Sequence, residues 1–212
     1  NIKVIKNDLY QNISYKLARK VPSNLENRLS NILDKELISH VSLTLYKTKK
    51  YIELNCKTVN NIIEHRDRIV IDTDLKTNNS IADQQFGTII REVDYNKYNN
   101  WKKDNWDEKP RGIEPMISFA ALDAENSVCG VSDGVREYEV LDNNKLAFTM
   151  FRSIPYLGKP NLNDRPGRAS GVYEIQMGHA LLDKEIETTL YICDLENDYL
   201  KMHKFSKEVL NR

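Results

Sequence analysis

Apolar and polar residues alternate with a period of two along most of this chain, the pattern of strands with one buried face. Leu9, Gln11, Ile13, Tyr15 and Leu17 fall on one side of such a strand. Val41, Leu43 and Leu45 alternate with Ser42 and Thr44, and Ile52, Leu54 and Cys56 alternate with Glu53 and Asn55. The polar Lys47-Thr48-Lys49-Lys50 between them reads as a hairpin turn. Ile69 and Ile71 resume the pattern after a turn at Asn60-Asn61. Further on, Met116 to Leu122 and Ser127 to Val131 form a strand pair around Asp123-Ala124-Glu125-Asn126. Leu146, Phe148 and Met150 alternate with Ala147, Thr149 and Phe151 after an Asp142-Asn143-Asn144 turn. Ile186, Thr188, Leu190 and Ile192 make a late strand. Many strands, short polar turns and no alternating helices predict an all-β, mainly antiparallel β-sandwich with minor helix. Residues 1–212 are expected to form a single domain, since nothing along the chain marks a boundary.

Two segments depart from the alternation. Ser23-Asn24-Leu25-Glu26 has capping-box spacing, and Leu25, Arg28, Leu29, Ile32 and Leu33 follow at near-helical intervals. From Glu196 to Leu210 the spacing of Tyr199, Leu200, His203 and Val209 suits a second helix. Its apolar face is thin, so it is expected to dock on something outside this chain. The stretch from Asp94 to Pro115, rich in Tyr, Trp, Asn and Lys, reads as a long loop, and loops of that length generally have a function or cover a neighbour.

Composition narrows the function classes. Lys plus Arg equals Asp plus Glu at 31 each, so a nucleic-acid groove or an anionic membrane surface is not the expected main partner. At 40% hydrophobic and 29% charged, the 212 residues suit a globular chain with a real core. No apolar run is long enough for a membrane-crossing helix. Cys56, Cys129 and Cys193 are far apart, which predicts reduced thiols and a cytoplasmic setting. No Cys/His pair has zinc spacing, and the four histidines are scattered. The chain opens on Asn1 and runs at once into Ile2 and Val4, as a domain cut from a longer polypeptide would. Abundant Asn, Lys and Ile point to an AT-rich bacterial genome.

Few residues suggest chemistry. Glycoside hydrolysis uses two carboxyl groups flanking the scissile bond. Asp72, Asp74 and Asp83 are close in sequence, yet they read as turn and rim residues, where acids accept turn hydrogen bonds. Ser132-Asp133-Gly134 is a turn tripeptide and no nucleophile elbow stands here. Arg152 ends an apolar strand, and Asp164, Arg165 and Arg168 follow on a Pro/Gly-stiffened loop. Guanidinium forks placed there suit sugar hydroxyls or a carboxylate; an Arg–Asp network that staples the loop is the other reading. Trp101 and Trp106 form a stacking platform if the chain is a stand-alone carbohydrate-binding module, or anchor the long loop if it is not.

Several blocks stand in a specific order: T-N-N-S-I-A-D-Q-Q-F-G-T-I-I-R-E from Thr77, P-R-G-I-E-P-M-I-S-F from Pro110, G-V-R-E-Y-E-V from Gly134, R-S-I-P-Y-L from Arg152, D-R-P-G-R from Asp164, and Q-M-G-H from Gln176. Together they resemble the C-terminal β-sandwich region of bacterial α-mannosidases of glycoside hydrolase family 38, over most of residues 40–193. The resemblance implies a retaining exo-acting enzyme that releases terminal α-mannose. It implies a zinc ion, held by Asp and His, and an Asp nucleophile, both in an N-terminal catalytic barrel of the same polypeptide. None of those barrel motifs stands in this sequence, so no catalytic residue and no metal ligand is assigned in it, and the isolated chain is expected to be inactive. The resemblance also implies an arginine that reaches the active-site rim from the β-region. Arg152 matches that position, with Asp164 and Arg165 as its support and an α-mannoside as the substrate.

Overall fold

Alternation becomes strands along nearly the whole chain. The computed structural model describes residues 2–156, 158–167, 175 and 177–211. The strands in chain order are β1 (Ile2–Lys6), β2 (Tyr10–Val21), β3 (Lys35–Tyr46), β4 (Ile52–Val59), β5 (His65–Asp72), β6 (Asn79–Gln84) and β7 (Gly87–Glu92). They continue as β8 (Ile113–Pro115), β9 (Phe119–Leu122), β10 (Asn126–Val131), β11 (Glu137–Leu141), β12 (Lys145–Ser153) and β13 (Glu185–Glu196). Helix α1 (Leu25–Leu29) lies between β2 and β3, and α2 (Tyr199–Leu210) follows β13. Nine strands form one sheet in the order β1-β2-β3-β4-β13-β10-β9-β6-β7, and four form another, β5-β12-β11-β8. Neighbouring strands pair antiparallel in both. This is the antiparallel sandwich that the alternation predicts. The β11–β12 turn shows the local logic. Asp142 and Asn143 both take positive φ, 52° and 62°, as a type I′ turn requires. The Asn144 N–H then closes onto the Leu141 carbonyl at 3.1 Å.

The middle of the large sheet is covered on both faces. On one face Ala82, Ala120, Leu122 and Leu190 pack against Tyr138, Leu146 and Phe148 of the small sheet. On the other, Ile81, Phe119, Ala121, Cys129 and Cys193 pack under Met202, Phe205 and Val209 of α2. Strand β9 reads Phe-Ala-Ala-Leu without alternation because every one of its side chains is buried. Each large apolar side chain removed from water in this way contributes roughly 1.5–3 kcal/mol before entropy is set against it.

Helix α2 corrects one expectation. It docks on the chain's own sheet, not on something outside it. Its buried stripe is Met202, Phe205, Ser206 and Val209, at i, i+3, i+4 and i+7, while Leu200 faces solvent. The Asp198 carboxylate caps it, accepting from the N–H groups of Leu200 and Lys201 at 2.8 and 3.2 Å. Helix α1 is shorter than the spacing of Leu25 to Leu33 predicts. Asn24 caps it through the Asn27 N–H at 2.9 Å, and it ends at Leu29.

The small sheet covers only part of the large one. Its edge strand β5 reaches over β2, where Asp67 grips Arg19 through both carboxylate oxygens at 2.8 and 2.9 Å. Beyond that clamp the same face of the large sheet continues without a cover. Register places Val4, Ile13 and Leu43 side by side across β1, β2 and β3, with Leu45 opposite Ile52 one pair further on. Ile2 and Val4 are 74% and 67% exposed there.

Candidate functional site

The segment that the sequence singles out opens at the end of β12. A β-bulge at Met150 shifts the β5–β12 register, so that Arg152 comes to lie directly opposite Arg66, with Ser153 opposite His65. Two like charges facing each other across strands repel. Glu137 of β11 stands between them, 3.1 Å from Arg66 Nε and 3.7 Å from Arg152 Nε, and its carboxylate also accepts from the Thr149 hydroxyl at 2.7 Å. Beside it Arg68 pairs with Glu139.

A pocket of about 500 Å³ forms where α1, the start of β5, the end of β12 and the segment after it converge. Its charged lining is Arg28, Glu64, Arg66, Arg152, Lys159 and Arg165. Tyr156, Ile154 and Leu162 supply apolar wall. Glu64 works inward: one carboxylate oxygen accepts the Leu25 N–H at 3.0 Å, and the other lies 3.4 Å from Lys159 Nζ. Arg28 donates to the Glu64 carbonyl at 2.6 Å. Lys159 also sits 4.8 Å from the centre of the Tyr156 ring.

Burial, more than any neighbouring charge, shifts the half-buried groups in this pocket. Burial pushes the His65 imidazole below its ordinary pKa; Asp67 opposes that, and Arg28 and Arg19 add to it. Burial likewise pushes the Arg66 guanidinium down; Glu137 opposes that, and Arg152 and Arg68 add to it. Arg66 Nε and both ring nitrogens of His65 are buried atoms without a partner at hydrogen-bond geometry.

The structure brings Arg152 and Arg165 into one pocket and turns Asp164 away from it. Asp164 pairs with Arg111, and its carbonyl accepts the Lys109 N–H at 2.7 Å. That is a staple between the Pro/Gly segment and the long loop of residues 94–115. Gly167, at φ +89°, closes the segment, donating its N–H to Asn161 Oδ1 while its carbonyl accepts the Asn161 N–H, both at 3.0 Å. Arg168 lies outside the described residues. The two tryptophans separate. Trp101 is 6% exposed and anchors the long loop, whereas Trp106 is 48% exposed and stacks on Tyr98 at 5.4 Å. Of this pair only Trp106 is exposed. Sequence reasoning missed Arg28, His65, Arg66 and Lys159. Their approach depends on which strands pair and on the bulge, neither of which leaves a local signal.

What this pocket can do is hold anions and hydroxyl groups. Its one acidic lining residue is committed to the backbone and to Lys159, so among the described residues it does not hold the two carboxyl groups that glycoside hydrolysis uses. Among the described residues, too, no three His, Cys, Asp or Glu side chains gather as a metal-binding group. Asp83, close in sequence to Asp72 and Asp74, is buried and accepts hydrogen bonds from the segment before β9. No described helix is long and apolar enough to cross a membrane.

Comparison with known proteins gives a consistent picture. The family model for "Glycosyl hydrolases family 38 C-terminal domain" matches residues 2–157. Among solved structures, the chain is similar to a protein in the glycosyl hydrolase family 38 from Enterococcus faecalis, with a TM-score of 0.70, 16% identity, and coverage of 97% of this chain and 24% of that one. It is also similar to an alpha-mannosidase from Enterococcus faecalis V583, with a TM-score of 0.75, 16% identity, and coverage of 97% of this chain and 23% of that one. The chain thus spans about a quarter of the length of the structures it resembles. No curated protein matches it.

Proposed function

This chain belongs to the family of glycosyl hydrolase family 38 C-terminal domains, and from that footing we propose that it is the β-sandwich part of an α-mannosidase that cleaves terminal α-mannosyl linkages with retention. In this reading residues 1–212 are one unit. They brace a catalytic barrel elsewhere on the same polypeptide and lend the rim of its active site Arg152, with Arg165 beside it. The nucleophile and any zinc belong to that barrel. The described residues of this chain do not fit a zinc site, and no step of the reaction is assigned to one here.

The observation that carries the proposal is the uncovered apolar face of β1–β3. A free-standing module rarely leaves a broad run of cross-strand apolar pairs in water, whereas a domain that docks on a larger neighbour does. Ile2, Val4, Ile13, Leu17 and Leu45 are all exposed on that one face. A pocket edged by Arg152 and Arg165 suits hydrogen bonding to sugar hydroxyls, since a guanidinium presents several donors in a fixed fork.

The test is hydrolysis of 4-nitrophenyl α-mannoside. The 212-residue chain alone is expected to release no nitrophenol, and the chain joined to the rest of its polypeptide is expected to release it. In the joined protein Arg152→Gln should lower kcat/KM by about tenfold, the loss of one charge-assisted hydrogen bond. Hydrolysis by the chain on its own would overturn the proposal.

A further inference from the structure

Two of the three cysteines meet in the fold. Register sets Cys129 of β10 directly opposite Cys193 of β13. Residues opposite each other in an antiparallel pair have Cα atoms about 4.5–5.5 Å apart, inside the range of about 4.4–6.8 Å that a disulfide spans. Partners in register also share a face, and here that face is the one under α2, where both cysteines pack with Met202, Phe205 and Val209. Both are free, and they are 0% and 4% exposed. A hydrogen bond with Cys193, and then burial, pushes the Cys129 thiol well above its ordinary pKa. Cys56 belongs to the other face, since it pairs with Thr188, on the same side of β13 as Leu190, which packs against the small sheet. While α2 is in place the pair is shielded and Cys129 is poorly ionised, and thiolate is the form that reacts.

The cover over the pair can open. Helix α2 has 12 residues, too few to hold its turns in water without the sheet beneath it. Polar ties hold it down at Ser206, 2.7 Å from the Ser118 hydroxyl, and at His203, 2.9 Å from the Thr88 hydroxyl. Local opening of such a unit costs less than unfolding the whole chain. We propose that Cys129 and Cys193 are an oxidative modification site, which a small-molecule disulfide converts into a cross-strand bridge when α2 lifts. Cys193, the less buried of the two, loses its proton to solvent and attacks one sulfur of the reagent, whose S–S bond breaks. A mixed disulfide forms, and one small thiolate leaves and takes up a proton. Cys129 then loses its proton and attacks the Cys193 sulfur, expelling the second small thiolate, which is protonated in turn. One protein S–S bond replaces one reagent S–S bond; the two cysteines give up two electrons, and the reagent is reduced to two thiols. The bridge ties β10 to β13 across the long stretch of chain between them, so it restricts the unfolded chain more than the folded one. The site stands on this chain's own thiols and is independent of the mannosidase reading.

The experiment is incubation of the 212-residue chain with oxidised glutathione at mildly alkaline pH, followed by thiol titration in denaturant and mass measurement. Two of the three thiols are expected to disappear with no glutathione retained, and dithiothreitol should restore them. The bridged chain should unfold about 5 °C or more above the reduced one. Cys129→Ser should stop at a glutathione adduct on Cys193, whereas Cys56→Ser should bridge as the unsubstituted chain does. Asp198→Ala removes the cap of α2 and should raise the rate of bridging at least about threefold, because the helix opens more often. Phe205→Ala, which takes an anchor from the buried side of the helix, should raise it further. Both variants are assayed below their unfolding midpoints, so that a faster reaction reports the lifting of α2 and not loss of the fold. Retention of all three thiols, a bridge that includes Cys56, glutathione left on Cys193 of the unsubstituted chain, or a bridged chain that unfolds no higher than the reduced one would overturn the site. Unaltered rates in both folded α2 variants would overturn the helix as its cover.

Discussion

Asp83→Ala should lower the stability of the fold by about 4 kcal/mol, the loss expected when several buried donors lose one charged acceptor. The side chain is 5% exposed. Its carboxylate accepts the backbone N–H groups of Ile117, Ser118 and Phe119 at 3.0, 2.8 and 3.0 Å, and the Ser118 hydroxyl at 2.5 Å. That hydroxyl lies 2.7 Å from Ser206 Oγ on α2. One acid therefore holds the entry to β9, a central strand, and the helix that covers it. Alanine leaves the buried Ser118 and Phe119 N–H groups without an acceptor, and the Ile117 N–H with only its 3.3 Å bond to the carbonyl of residue 83. Asp83→Asn keeps one accepting oxygen and should cost about half as much. Urea titration of the three proteins gives both numbers, and a loss under about 1 kcal/mol for alanine would refute this account of the junction.

The next largest effect is expected at Gly130. A Cβ built there falls 2.4 Å from Cζ and 2.6 Å from Cε2 of Phe148, nearer than atoms approach. The two residues face each other from opposite sheets, and both are fully buried. Gly130→Ala must push the ring into Leu146, Tyr138 or their neighbours, where packing leaves little room, at a cost of about 2–3 kcal/mol. The signature is coupling. Phe148→Leu alone should destabilise by about 1 kcal/mol, yet in the Gly130→Ala background it should restore part of the loss, with an interaction energy of about 1–2 kcal/mol. Additive losses would mean that the sheets do not meet at this pair.

Strand faces were legible because burial on one side only is written as alternation. Ile13, Tyr15 and Leu17 share a face in the structure as their spacing predicts, and Asp142-Asn143 marks its turn by residue type alone. The sheet order was not legible. Strand β13 lies between β4 and β10, joining parts of the chain far apart in sequence, and no local pattern encodes that neighbourhood. Helix α2 was legible as a helix but not in its partner, since Met202 and Phe205 lie on the buried side while Tyr199 and Leu200, the more conspicuous apolar pair, do not. The pocket was half legible. Arg152 stood out beside a Pro/Gly segment, and Arg66 did not, because their meeting depends on a bulge at Met150. Asp164 and Arg165 were grouped by adjacency, and the turn between them sends one to Arg111 and the other into the pocket.

The central claim is that the open face of β1–β3 is a docking surface for the catalytic part of the same polypeptide. Ile13→Lys tests it most directly, since Ile13 lies in the middle of that face between Val4 and Leu43. In the chain alone the substitution places its charge in water and should leave the unfolding free energy within about 0.5 kcal/mol. In the joined polypeptide it buries an unpaired charge, and α-mannoside hydrolysis at a fixed temperature should fall by at least about tenfold. Unchanged hydrolysis by the joined protein carrying Ile13→Lys would contradict the account.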